Sequence, residues 1–445
     1  MEQVMLKIYD FETALATILK RKPLNLMNFP PGLLAGTEEL FGTGVTPPEA
    51  VAAILRSVRE EDDRALRRWS ATLDGVEIED FQIPVARLAA AFEALPTDLK
   101  EAMNTAAERI HAFHARQPLP NWQSDALGGT LGQRVTPVES AGVYVPGGTA
   151  PLPSSLLMSV IPAQVAGVER IVVCTPPKPD PSILAAAHIC GIASVFQIGG
   201  AQAIAAMAFG TQSVPKVDKI VGAGNVFVTL AKQQVYGFVG LDGLAGPTET
   251  MIIADHSANP NWVAADLLAQ AEHDVLASAI LLTPFSILAR QVQAAVARQL
   301  ENLSRAEVII QSLTRSSGIV ITPDLEAAAE LANQYAPEHL CLSVSDPWSL
   351  AEKIKHAGGL FLGERSFEVL GDYVAGPSHV MPTGGTAHFA SPLNVMDFVK
   401  ITSLIALDDK TSMALSSKAA ALARLEQLTA HAAAAQKRHN GEHDA

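Results

Sequence analysis

Positive charge is scarce in this 445-residue chain: 32 lysines and arginines stand against 46 aspartates and glutamates, a formal net charge of −14. That balance argues against non-specific binding to nucleic acid or to an anionic membrane, both of which need a basic surface. A small anionic ligand needs only local donors and stays open. Cysteine is scarcer still. Cys174, Cys190 and Cys341 form an odd set with neither metal-binding spacing nor a disulfide framework. A reducing compartment is expected, and each thiol reads as a small buried hydrophobe. Long apolar runs are missing as well. The longest charge-free stretch, from Ser140 to Val168, is broken by Pro146, Gly147, Gly148, Pro151, Pro153 and Pro162, whereas a membrane span wants about 20 apolar residues without such breaks. The start, Met1 to Lys7, runs on into Asp10 and Glu12 without the apolar core of a targeting segment, so a cytoplasmic protein is expected. No G-x-G-x-x-G, the usual dinucleotide fingerprint, follows a candidate strand.

What remains is ample core: 48% hydrophobic and 18% charged residues, in a chain long enough for two or three domains. Residues 1 to about 140 read as mainly helical, with Thr46 as an N-cap ahead of Pro47, Pro48 and Glu49; 130–138 reads as a strand. From Gly142 strands and helices alternate. Strands are expected at 142–145, 170–174, 194–198 and 218–222, and helices at 155–167, 182–190, 201–209 and 225–235. A second such series has strands at 249–254, 278–283, 318–322, 339–343 and 359–362, with helices at 261–273, 286–302, 324–334 and 347–356. The rhythm predicts βαβ units and parallel sheets, an architecture repeated without a sequence repeat. Strands of the first series end in turns such as Gly199-Gly200-Ala201-Gln202 and Gly222-Ala223-Gly224-Asn225. Ligands of open α/β sheets gather at the carboxyl ends of strands, so this half reads as the cofactor side. The stretch 371–394 reads as an ordered functional loop, and about 409–437 as a last helical region before a polar tail that includes His439 and His443.

Four groupings could carry chemistry. Gln270 and His273, three apart at a helix end, share a face and could offer two metal ligands, or His273 could simply complement the helix dipole. Glu338 and His339 could divide acid and base roles, or merely begin a strand. Asp372 and His379 lie in the turn-rich stretch, where Asp372 could bind a metal or close an Asx turn. Glu426 and His431 fall on the last helical region, which could be a plain amphipathic helix.

Six longer segments go further: Gly142–Ser154, Gly199–Ala206, Ser213–Ile220, Leu268–Asp274, Tyr335–His339 and Pro382–Ala387. In order and approximate spacing, from about residue 20 to 437, they resemble the histidinol dehydrogenase family. The resemblance implies an α/β protein of two Rossmann-like domains with parallel-rich sheets and small helical N- and C-terminal segments. It implies an N-terminal arm (1–30), a large α/β domain (31–141 and 249–393), an NAD-binding domain (142–248) and a C-terminal dimerisation segment (394–445). It further implies Zn2+ held by Gln270, His273, Asp372 and His431, and catalysis by Glu338 and His339. NAD would touch Tyr144, Gln202 and Asn225. The substrate L-histidinol would touch Thr248, Gln270, His273, His339, Asp372, His379, Glu426 and His431. The partner implied is a second copy, in a homodimer with shared active sites. Thr248, Ala223, His388 and Pro392 stand where the family more often has Ser, Pro, Arg and Gly, and none of these changes removes a ligand or a base.

Overall fold

A computed structural model describes residues 6–21, 29–147 and 151–439. Most of the polar tail, His443 included, lies outside the described residues, as do Gly148, Thr149 and Ala150 of the first motif and parts of the N-terminal arm. The strands in chain order are β1 (Ile8–Tyr9), β2 (Trp122–Ser124), β3 (Thr130–Pro137), β4 (Ser140–Tyr144), β5 (Arg170–Thr175), β6 (Val195–Gln197), β7 (Lys219–Val221), β8 (Gly240–Leu241), β9 (Glu249–Ala254), β10 (Ser278–Thr283), β11 (Gly318–Ile321), β12 (His339–Ser343), β13 (Gly359–Leu362) and β14 (Val399–Ala406).

Two parallel sheets dominate one compact unit, which comprises the described residues up to Arg116 and Glu139–Phe398. The first sheet has five strands in the order β6-β5-β4-β7-β8. The second has six, β1-β11-β10-β9-β12-β13. Within each α/β series the order is third, second, first, fourth, fifth, with β1 added at one edge of the second sheet. That is the doubly wound arrangement, and its switch point lies between the first and fourth strands. Strands β9, β10 and β12 are buried along their whole length because helices cover both faces.

Several expectations need correction. The helices Pro47–Glu61 and Asp63–Leu73 were expected with the large domain, yet Val51, Ile54, Leu55, Val58 and Leu66 join one core with Ile204, Val228 and Phe196 of the five-stranded series. The helix over 47–61 does begin where the cap predicts: the Thr46 N–H and hydroxyl both donate to Glu49 Oε2, at 2.8 and 2.7 Å. The stretch 371–394 is not all loop, because Glu368–Tyr373 is a short helix that carries Gly371 in its interior. A single glycine only weakens a helix and does not end it. The helix at 347–356 stops at Ala351, and Ala306–Arg315 forms a helix that the alternation did not announce.

The second unit comprises Gln117–Val138 and the described part of Val399–Ala445. Its antiparallel sheet runs β14-β3-β2, with Val399 opposite Pro137 and Ala406 opposite Thr130. The C-terminal segment is therefore not purely helical. Its helices are Asp409–Leu425 and Thr429–His439, separated at Gln427, whose φ is +61°.

Candidate active site

The six-stranded sheet presents its polar side chains at the amino ends of β9 and β12, the switch-point strands. The helix Leu325–Tyr335 ends at Ala336, which takes a left-handed conformation (φ +49°) ahead of Pro337. Proline disfavours right-handed helix in the residue before it, so the chain turns here and enters β12 with Glu338 and His339 buried. Glu249, the first residue of β9, holds both. Its N–H donates to Glu338 Oε2 at 3.0 Å, and its carbonyl accepts from His339 Nδ1 at 3.0 Å. The Thr248 hydroxyl donates to the same Glu338 oxygen at 2.6 Å, so the Ser-to-Thr departure keeps its hydrogen bond. A carbonyl can only accept, which places the proton of a neutral His339 on Nδ1 and leaves the Nε2 lone pair facing the site.

That Nε2 is buried with no hydrogen-bond partner and stands 3.4 Å from Asp372 Oδ1. Asp372 and Glu368, four apart, project from the same face of the helix Glu368–Tyr373. Donor atoms of His339, Glu368 and Asp372 lie within 4.8 Å of one another. Carboxylate oxygens are among the donors zinc takes, and two of them, from Glu368 and Asp372, beside a buried imidazole fit a cation there.

Charge follows this geometry. Burial pushes Glu338 up to about 7, with His339 opposing. Burial alone would lower His339, but Glu368, Glu338 and Asp372 overcome it and raise the imidazole to about 10. Burial likewise pushes Glu368 up to about 7. Asp372 lies below the ordinary carboxylate range, because its contacts with His339 outweigh burial.

Gln270 is buried among the same groups. In its satisfied orientation Nε2 donates to Glu368 Oε1 at 2.6 Å and Oε1 accepts from the Glu249 N–H at 2.7 Å; Oε1 also lies 2.7 Å from the Thr248 hydroxyl, whose single proton it shares with Glu338 as an alternative acceptor. His273 does not share a helix face with it. The helix Pro260–Ala271 ends before His273, whose N–H bonds back to Gln270 O at 3.3 Å. Burial lowers His273, and Asp372 opposes that. His379 bonds Asp372 O through Nδ1 at 2.8 Å and meets Ser155 Oγ through Nε2 at 3.2 Å. Glu426 caps the end of Asp409–Leu425, and His431 stands in the first turn of Thr429–His439; both are exposed in the second unit.

On the five-stranded sheet Tyr144 closes β4 and accepts the Gly200 N–H on its hydroxyl at 3.1 Å. Gly222 follows β7 at φ +107°, and a Cβ there would lie 2.3 Å from the Tyr144 carbonyl. Asn225 caps the helix Val226–Val235 through Oδ1, at 3.1 and 3.2 Å. Gln202 is buried, with Nε2 3.3 Å from Asp74 Oδ2 and Oε1 without a partner. Tyr144, Gln202 and Asn225 therefore border the carboxyl-end crevice at the switch point. The helix Pro153–Ala166, which carries Ser155, links that crevice to His379.

Glu368 and Glu249 escaped the sequence reading. Glu368-x-x-x-Asp372 was the available signal for one; the backbone role of the other leaves no mark on residue type.

Two doubly wound parallel sheets, with the buried Glu338–His339 pair beside carboxylates that could hold a cation, are the architecture and site of an α/β enzyme. A histidinol dehydrogenase family model matches residues 45–439. Histidinol dehydrogenase of Thermus thermophilus is 54% identical over 387 residues, covering 87% of this chain and 93% of that one. Its counterpart from Deinococcus radiodurans is 50% identical over 418 residues, covering 92% and 94%. The crystal structure of histidinol dehydrogenase from Elizabethkingia anophelis superposes with a TM-score of 0.88 at 33% identity, covering 99% of each chain. The chain belongs to the histidinol dehydrogenase family and is an oxidoreductase. Among the described residues no helix is long and apolar enough to cross a membrane.

Proposed function

We propose that the protein oxidises L-histidinol through L-histidinaldehyde to L-histidine, with Glu338 and His339 as the acid–base pair. The observation that carries this is the pair itself: both side chains are buried, both are fixed by the backbone of Glu249, and Nε2 of His339 is the atom left to react. His339 takes the hydroxyl proton at Nε2 when the alcohol is oxidised, and a proton again when the aldehyde hydrate is oxidised. Glu338, near neutrality, draws a proton from the water that adds to the aldehyde. Tyr144, Gln202 and Asn225 would hold NAD, which would supply the hydride acceptor for both halves. Gln270, His273, Asp372 and His431 are the residues that would hold zinc, which would orient the substrate's amine and imidazole and offset the carboxylates that hold His339 protonated. Thr248, His379 and Glu426 complete the substrate contacts.

The reading includes a homodimer in which His431 and Glu426 serve the partner's site, and a cytoplasmic setting, which three free buried cysteines support. The test is NADH production on a panel of amino alcohols and polyols. Turnover of histidinol with two NADH per molecule is expected. Turnover of another alcohol alone would point to a paralogous activity with the same metal and cofactor, and turnover of none to a binding protein.

A further inference from the structure

The segment that follows the helix Phe11–Ala16 delivers one side chain to the back of the acid–base pair. The Arg21 guanidinium grips both oxygens of Glu249, one through Nη1 and the other through Nη2 at 2.8 Å. Its Nε donates to Tyr335 O at 2.6 Å, and Nη2 also reaches Ala336 O at 3.3 Å. Its Cζ lies 3.7 Å from the centroid of the Tyr335 ring. A planar fork is the group that can satisfy a carboxylate, two carbonyls and an aromatic face together; an ammonium cannot.

Each of these partners is adjacent to the pair. Glu249, whose side chain Arg21 fixes, bonds Glu338 through its N–H and His339 through its carbonyl. Tyr335 and Ala336 are the turn that leads into Glu338 and His339, and Ala336 holds φ +49° without being glycine. Such a conformation persists only where its surroundings enforce it, and Arg21 grips the carbonyls on both residues of that turn. Glu249 also accepts the Gly384 N–H at 3.2 Å, which ties in the Pro382–Ala387 motif.

We propose that Arg21 is a positioning residue: acting through Glu249 and the Ala336 turn, it sets where the Glu338 carboxylate and the His339 imidazole stand. This rests on the reading of those two residues as the acid–base pair. The rival account is that Arg21 merely neutralises a buried carboxylate. The double variant Arg21→Met with Glu249→Gln separates the two, because it removes the charge imbalance together with the fork.

The experiment compares R21M, R21K, the double variant, E338Q and H339N by thermal unfolding, zinc content and steady-state kinetics with histidinol and NAD. A misplacement of about 1 Å near the chemistry costs on the order of a hundredfold. The double variant is therefore expected to lose roughly tenfold to a hundredfold in kcat, at full zinc content and with KM values within about twofold of the parent. R21K should recover part of that loss, since one ammonium restores some of the contacts. A parental kcat in the double variant overturns the proposal. So does a loss that appears only with zinc depletion, raised KM or collapsed unfolding temperature in every Arg21 variant. If E338Q and H339N themselves keep parental kcat, the failure lies in the acid–base reading; if they fall while the Arg21 variants do not, it lies with Arg21 alone.

Discussion

At Glu338 and His339, identity was legible in the sequence but role was not. Two adjacent titratable residues before an apolar strand can form an acid–base pair, but spacing alone favours an ordinary strand start. What separates them is the Glu249 carbonyl, which settles the imidazole tautomer, and the buried carboxylates, which raise His339. The first is a contact across 90 residues of chain, and Glu368 and Asp372 reach His339 only because the helix Glu368–Tyr373 folds back on it, so neither is visible to spacing. The two roles can be told apart. Glu338→Gln should spare oxidation of the alcohol and slow oxidation of added histidinaldehyde. His339→Asn should slow both, because a proton leaves in each half. General-base contributions are typically about 10²–10⁴-fold, so stopped-flow NADH formation from each substrate resolves the contrast. Equal slowing of both steps by Glu338→Gln would contradict the assignment. His273→Asn should lower zinc content and weaken histidinol binding while NAD binding stays near normal, because the crevice beside Tyr144 belongs to the other sheet; full zinc occupancy would remove His273 from the ligand set.

Elements were legible where burial is uniform. Strands β9, β10 and β12 each carry an apolar run, 251–254, 279–282 and 340–342, and they fall where alternation placed them. Helix ends were less legible. His273 falls beyond its helix and Asp372 within one, because a cap or a tolerated glycine is decided by a residue or two. Gly222 offers a test at this scale. Its φ of +107° and the 2.3 Å that would separate a Cβ from Tyr144 O leave no room for a side chain. Gly222→Ala should destabilise the fold by about 1–3 kcal/mol and weaken NAD binding; chemical denaturation and NAD titration measure the two. His114 supplies a pH test. Burial in the last turn of Thr97–His114, helped by His111, lowers it to about 4. In the unfolded chain it titrates near 6.5. Its neutral form is thus favoured by folding: the contribution is complete above about pH 6.5 and is lost as pH falls towards 4, where the unfolded chain binds the extra proton. Histidine 114 replaced by glutamine (His114→Gln) should lose less melting temperature between pH 7.5 and 4.5 than the parent does, by calorimetry. An identical loss would mean that the buried imidazole is not the sensor.

Across the whole molecule, one strand order serves two purposes. The five-stranded sheet presents Tyr144, Gln202 and Asn225 at the carboxyl ends of its strands, where ligands of open α/β sheets gather, whereas the six-stranded sheet places Glu338 and His339 at the amino ends. Alternation could predict the sheets but not which end each would use. The remaining two candidate residues, Glu426 and His431, fall in the second compact unit, on exposed positions of helices that share a small antiparallel sheet. So small a unit has little apolar surface with which to be stable by itself and should dock on something larger; the family reading makes that a second copy. A chain carrying His431→Ala and a chain carrying His273→Ala should each be nearly inactive as homodimers. Mixed and reassembled, they form heterodimers in which one site carries both lesions and the other carries neither. With free exchange at equal mixing about half of the dimers are mixed, each with one intact site, so about a quarter of parental activity should return. Recovery at that level requires ligands from two chains. If subunit exchange is confirmed by mass spectrometry and no activity returns, His431 and His273 serve the same chain's site and the shared-site arrangement fails.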